Sequence, residues 1–73
     1  MIDKIIMYES GIIFYNEKFD AHRIKGPAMS YYNSEEEWYL YGKRHRIDGP
    51  AIKYNSGNRT HWIFGKLLKN KPQ

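Results

Sequence analysis

The phrase "HRIDGPAI" at residues 45–52 stands almost letter for letter at residues 22–29 as "HRIKGPAM", and the reading of this repetition decides the fold. At a spacing of 23, His22, Arg23, Ile24, Gly26, Pro27, Ala28 and Tyr31 fall on His45, Arg46, Ile47, Gly49, Pro50, Ala51 and Tyr54. The match runs on past the phrase, with Tyr39, Leu40, Tyr41, Gly42 and Lys43 falling on Trp62, Ile63, Phe64, Gly65 and Lys66. At twice the spacing "YESG" (8–11) falls on "YNSG" (54–57), and Ile6 on Ile52. The chain holds three units. A fixed period of about 20 residues marks a stack of small supersecondary units, each burying its apolar face only against a neighbour.

The content of a unit identifies it as a β-hairpin. Ile52 and Tyr54 alternate with Lys53, Met29 and Tyr31 with Ser30, and Ile6 and Tyr8 flank Met7, a period of two rather than of a helix. The tetrads "YESG", "YNSE" and "YNSG" follow, in which Gly11 and Gly57 are expected to take the positive φ of a hairpin turn. A second, aromatic strand comes next as "IIFY", "WYLY" or "HWIF", and Gly42-Lys43 and Gly65-Lys66 mark the next reversal. Gly-Pro then restarts a strand at its first residue, where a missing N–H costs nothing, and Ala28 and Ala51 are small enough for close stacking. The expected fold is all-β: three consecutive antiparallel hairpins over about 4–20, 24–43 and 47–66, forming one twisted antiparallel sheet. A basic tail over 67–73 completes a single domain of residues 1–73.

Seventy-three residues make a thin core, since so short a chain buries only about 60% of the surface its unfolded form exposes. No cysteine is present, which excludes disulfide or cysteine–zinc support and is compatible with a reducing interior, so the expected location is the cytoplasm. The longest apolar runs, Ile12 to Tyr15 among them, are far below the roughly 18 residues that span a bilayer, and no membrane partner is expected. Charge is uneven. Residues 1–37 carry four basic against seven acidic residues, a net of −3, whereas residues 38–73 carry eight basic residues against Asp48 alone, a net of +7. A basic half of this kind meets an acidic partner or a phosphate backbone, or is simply solvated.

The repeated phrase resembles the signature of the tandem HR-x-DGPA repeat proteins of bacteriophages, large DNA viruses and some bacteria, which are similar in style to the hairpin repeats called MORN repeats. Here it stands as "HRIKGPA" and "HRIDGPA", each followed by a tyrosine and an aromatic strand ending in Gly-Lys, and the resemblance covers most of residues 5–66. It implies a hairpin-repeat architecture and a role in protein or lipid contact. The chain departs from the pattern where Lys25 replaces the acid found at Asp48, where unit one begins without Gly-Pro-Ala, and where Leu67-Leu68 stand in place of Arg-His. These departures are expected at the ends of a short array.

The groups with chemical potential are His22, His45 and His61, with Arg23, Arg46 and a few acids. A side chain repeated at the same place in successive hairpins serves most simply to stack on its own image or to tie down a turn. Arg46 and Asp48, two apart on an extended segment, share a face on which they can pair. Three histidines spaced 23 and 16 apart offer no local metal-ligand pair. The expectation is therefore a non-enzyme with no catalytic residue, no metal and no cofactor.

That leaves binding. "GKRHR" places Lys43, Arg44, His45 and Arg46 at the turn between units two and three, among Tyr39, Tyr41, Trp62 and Phe64, a pattern that single-strand nucleic-acid binders use and the alternative partner class here. The preferred expectation is a small protein-binding module, with Trp38, Tyr39, Tyr41, Lys43, Arg44 and Arg46 as its contact residues, since tyrosine, tryptophan and arginine are the usual anchors of interfaces. Glu35–Glu37 are read as an acidic turn. The resemblance to phage repeat proteins implies a setting: an inhibitor of a bacterial host or defence protein, of anti-CRISPR or antitoxin type. A third expectation is self-association, because Ile5 to Tyr8 and Trp62 to Phe64 leave open sheet edges; Lys66, Lys69, Lys71 and Pro72 are read as a C-terminal guard against it, so that a monomer is favoured over a homodimer.

Overall fold

The computed structural model describes residues 4–68, and within them the chain is built of short antiparallel strands without a helix. They are β1 (Lys4–Tyr8), β2 (Gly11–Tyr15), β3 (Met29–Tyr31), β4 (Glu36–Glu37), β5 (Tyr39–Leu40), β6 (Lys43–Arg44), β7 (Ile52–Lys53), β8 (Arg59–Ile63) and β9 (Lys66–Leu68). Seven of them form one sheet in the order β1-β2-β3-β4-β7-β8-β9, and β5 and β6 form a separate pair. The all-β expectation holds: β1–β2, β3–β4 and β7–β8 are the first hairpin of each unit, and β5–β6 and β8–β9 are two further tight hairpins.

One sheet was expected and two are found, because the second strand of the middle unit breaks at Trp38. Its N–H donates to the Ala51 carbonyl at 2.7 Å and its own carbonyl accepts from His45 N–H at 3.0 Å. Trp38 thus bonds to the loop of the next unit rather than to a strand. Glu36–Glu37 stay in the main ladder, while Tyr39–Leu40 turn aside to pair with Lys43–Arg44. At the far end, Leu67 and Leu68 lie in β9 opposite Trp62 and His61, so the third unit runs through residue 68 and the tail does not begin at 67. The edge on that side is β9, not Trp62 to Phe64. The rest of the expected tail, with Lys69, Lys71 and Pro72, lies outside the described residues.

The turns correct the sequence reading in three places. Gly57, Gly42 and Gly65 do take positive φ (98°, 81° and 85°), but Gly11 does not. Gly11 is the buried first residue of β2, where an added Cβ would run into the Ser30 carbonyl and lie 2.8 Å from Tyr31 Cα; it is needed for close approach of β3, not for a turn. Glu36 and Glu37 occupy a central strand rather than an acidic turn, the bend being made one position earlier by Ser34 at φ 82°. Pro27 and Pro50 sit two residues ahead of β3 and β7, which start at Met29 and Ile52. Their loops first fold back to pack Ala28 and Ala51, both fully buried.

Cross-strand register sorts the side chains onto two faces, because residues directly opposite in an antiparallel pair share a face. Ile6, Ile13, Met29, Glu37, Ile52 and Thr60 form one continuous row across the main sheet. Tyr8, Tyr15 and Tyr31 stand on that same face, hereafter the tyrosine face. Phe14 and the loops after it lie on the other. The core is as thin as the length predicts, with Ala28, Ala51 and Ile52 its buried apolar residues and His22 and His45 buried beside them.

Candidate functional site

The repeated His-Arg phrase forms one construction twice. Nδ1 of His22 accepts the Tyr41 N–H at 2.9 Å, and Nδ1 of His45 accepts the Phe64 N–H at 3.0 Å. The rings also meet, with centroids 4.4 Å apart for His22–Tyr41 and 3.9 Å for His45–Phe64. Tyr41 and Phe64 have φ of 50° and 44°, and each is followed by a positive-φ glycine, so each pair forms a two-residue turn of type I′. Bulky residues resist this backbone, and the buried histidine acceptor helps to hold them in it.

The arginines are built in equally firmly. The Arg23 guanidinium lies 4.1 Å from the centroid of Phe14, and that of Arg46 lies 3.8 Å from Trp38. Nη1 of each donates back to the proline carbonyl of its own loop, Arg23 to Pro27 at 3.3 Å and Arg46 to Pro50 at 3.2 Å. A Cβ on Gly26 or Gly49 would stand 3.0 or 2.9 Å from the guanidinium carbon, so the glycine leaves room for a cation layered between backbone and ring. Arg46 adds an ion pair to Asp48 at 3.1 Å, the pairing expected from their spacing; in unit two Lys25 stands at the position of that acid.

The six expected contact residues do not form one patch. Trp38 and Arg46 stack on the loop side and line a groove of about 430 Å³ between the two His-Arg loops, whose rims are Ile24 and Ile47, 64% and 83% exposed. Tyr39 and Arg44 belong to the tyrosine face, where Arg44 Nε donates to the Tyr39 hydroxyl at 3.2 Å. Tyr41 is exposed at its turn with its ring against His22, and Lys43 is exposed beside Arg44. Period-two alternation is the reason. Trp38 and Leu40 point one way and Tyr39 the other, so neighbours in sequence part company in space.

What the structure does bring together is an aromatic and polar row along the tyrosine face. The Tyr8 and Tyr15 hydroxyls share a hydrogen bond at 2.9 Å, and the Tyr31 hydroxyl reaches Met29 Sδ at 3.4 Å. Tyr39 donates to Glu37 at 2.9 Å and accepts from Arg44, whose guanidinium lies 4.8 Å from the Trp62 ring. The indole N–H of Trp62 closes the row on the Thr60 hydroxyl at 2.9 Å.

No family model, curated protein or solved structure matches the chain.

The electrostatics of the row follow from its composition. The hydrogen bond to Tyr8 holds the Tyr15 hydroxyl above its ordinary pKa, and burial does the same for Tyr31 and Tyr39, with Glu37 adding to both. Arg44 works against the rise at Tyr39 without cancelling it. Desolvation and a hydrogen bond to Glu37 raise the Glu35 carboxyl. Among the described residues no cluster of three metal-ligating side chains occurs, and no helix is long and apolar enough to cross a membrane. Sequence reasoning named Tyr39 and Arg44 of this row as protein contacts and Trp62 only for a nucleic-acid surface, and missed Tyr8, Tyr15 and Tyr31 as its continuation. The aliphatic-then-tyrosine alternation was the available signal; the strand register that aligns the tyrosines was not.

Proposed function

We propose that this chain is a small non-catalytic protein-binding module whose contact surface is the tyrosine face of its sheet. The observation that carries the reading is the alignment of Tyr8, Tyr15, Tyr31, Tyr39, Arg44 and Trp62 on one face, held in place by the Tyr8–Tyr15 hydrogen bond, the Tyr31–Met29 contact and the chain from Glu37 through Tyr39 and Arg44 to Trp62 and Thr60. Aromatic side chains already held in place present large amphipathic area and lose little conformational freedom on binding, which is why Tyr, Trp and Arg dominate interface energetics. Glu35 and Glu37 in the middle of the row repel phosphate, and Arg44 is engaged with Tyr39 and Trp62, both of which favour a protein over a nucleic acid on this face.

The setting we infer from the resemblance to phage HR-x-DGPA proteins is inhibition of a bacterial host or defence protein, of the anti-CRISPR or antitoxin kind, inside the host cell. A tagged chain used for capture from bacterial lysate, with and without nuclease, tests the reading when paired with two variants. Tyr31→Lys on the tyrosine face should abolish retention of a protein that survives nuclease, whereas Ile24→Asp on the opposite loop rim should leave it. Loss of all retained protein on nuclease treatment, or equal loss in both variants with the fold intact, would refute it.

A further inference from the structure

The strand β1 is an edge, and the register of β1 with β2 fixes which of its backbone groups look outward. In β2 the Phe14 N–H donates to Ala28 and its carbonyl accepts from His22, so the even-numbered residues of β2 bond away from β1 and the odd-numbered ones toward it. Gly11, Ile13 and Tyr15 stand opposite Tyr8, Ile6 and Lys4. Those three residues of β1 therefore spend their N–H and C=O on β2, and Ile5 and Met7 turn theirs outward. No described strand lies on that side of β1. The side chains of Ile5 and Met7 are also 59% and 70% exposed. Ile5 to Tyr8 are four uncharged residues in a row without proline or bulge, which leaves Lys4, at the start of the strand, as its one charged residue.

We propose that two copies of this chain pair through β1, antiparallel and centred on Ile6, to join their sheets into one. The occupant is a second copy because β1 is self-complementary in this register and in the required sense. Two-fold symmetry about an axis normal to the sheet keeps faces in common, which places Ile6 opposite Ile6 and each Ile5 opposite Met7 of the other copy. Each Ile5–Met7 pair then falls on the outward N–H and C=O groups and forms two hydrogen bonds, while the two exposed apolar side chains cover each other. Lys4 stands opposite Tyr8, so no like charges face across the described strand. The Lys4 ammonium is directed onto its own Phe19 ring, 4.6 Å from the centroid, and does not guard the edge. The other edge, β9, is three residues long against five for β1 and carries Lys66, which makes it the weaker site.

Sedimentation equilibrium of the full chain should give twice its 8.8 kDa mass. Met7→Pro removes only an outward N–H, a change that edge strands tolerate, and should weaken the dimer by about 30-fold or more with the circular dichroism of the folded chain retained. Ile5→Lys, which keeps the backbone and adds a charge, should do the same, and Leu67→Lys on β9 should not. Ile6→Cys, in a chain with no other cysteine, should oxidise to a symmetric disulfide, since two residues facing across a non-hydrogen-bonded site lie within disulfide reach. A monomeric wild type, or a dimer indifferent to Met7→Pro and Ile5→Lys, would overturn the proposal.

Discussion

His45 accepts at Nδ1 the backbone N–H of Phe64, nineteen residues further along the chain, at 3.0 Å, and stacks on the ring of that same residue. One buried side chain therefore fixes the start of the type I′ turn that closes the next unit. His22 repeats the relationship with Tyr41. Replacing His45 by alanine removes the acceptor of a buried donor, opens a cavity and leaves Phe64 in a strained backbone. The expected loss is about 2–4 kcal/mol in urea unfolding, with the Phe64 amide gaining rapid hydrogen exchange before the rest of the sheet.

The glycines separate by mechanism. Gly11→Ala drives a methyl group into the backbone of β3, where no side chain can yield, and should cost about 3 kcal/mol or more, enough to unfold much of so small a domain. Gly49→Ala meets the end of a flexible side chain and should displace Arg46 from Trp38 for about 1–2 kcal/mol. Gly57→Ala meets nothing within 4 Å but is strained at φ 98°, and should cost about 1 kcal/mol. Thermal unfolding of the three variants checks the order.

Much of this was legible in the sequence and some of it was not, for physical reasons. The repeat of His22 to Tyr31 on His45 to Tyr54 gave the units, and the Gly-Lys pairs gave the reversals, because local turn chemistry needs no distant partner. Gly11 misled because close approach and positive φ both select glycine, and only the position of Ser30 tells them apart. Trp38 misled differently. Its place after Glu37 continues a strand pattern, yet its backbone partners are Ala51 and His45 of the next unit. The tyrosine row depends on the pairing of Gly11 with Tyr31 and of Tyr8 with Gly11, a relation between strands that no single strand encodes.

Lys25→Asp would give the second unit the acid that pairs with the arginine in the third. The Arg46–Asp48 pair is exposed at the aspartate, 83%, so the gain at Arg23 should be small, at most about 0.5–1 kcal/mol, and should vanish in high salt. Melting temperatures at low and high ionic strength measure it.

Alkaline pH should loosen the fold. Tyr15, Tyr31 and Tyr39 all hold their protons above the ordinary tyrosine pKa of about 10. Once the unfolded chain begins to ionise at about pH 10, the folded chain binds more protons than the unfolded one. Stability is therefore flat below that pH and falls as pH rises through the folded values. A spectroscopic tyrosinate titration should show these three ionising above the ordinary tyrosine range, and Tyr39→Phe should remove part of the stability loss.

The most direct test of the central claim places a photo-crosslinking aromatic residue at Tyr31 on the tyrosine face and, separately, at Ser30, its neighbour on the opposite face. After irradiation in nuclease-treated bacterial lysate, the substituted Tyr31 should capture one protein and the substituted Ser30 should not. Equal capture at both positions, or capture of nucleic acid alone before nuclease, would contradict a protein-binding tyrosine face.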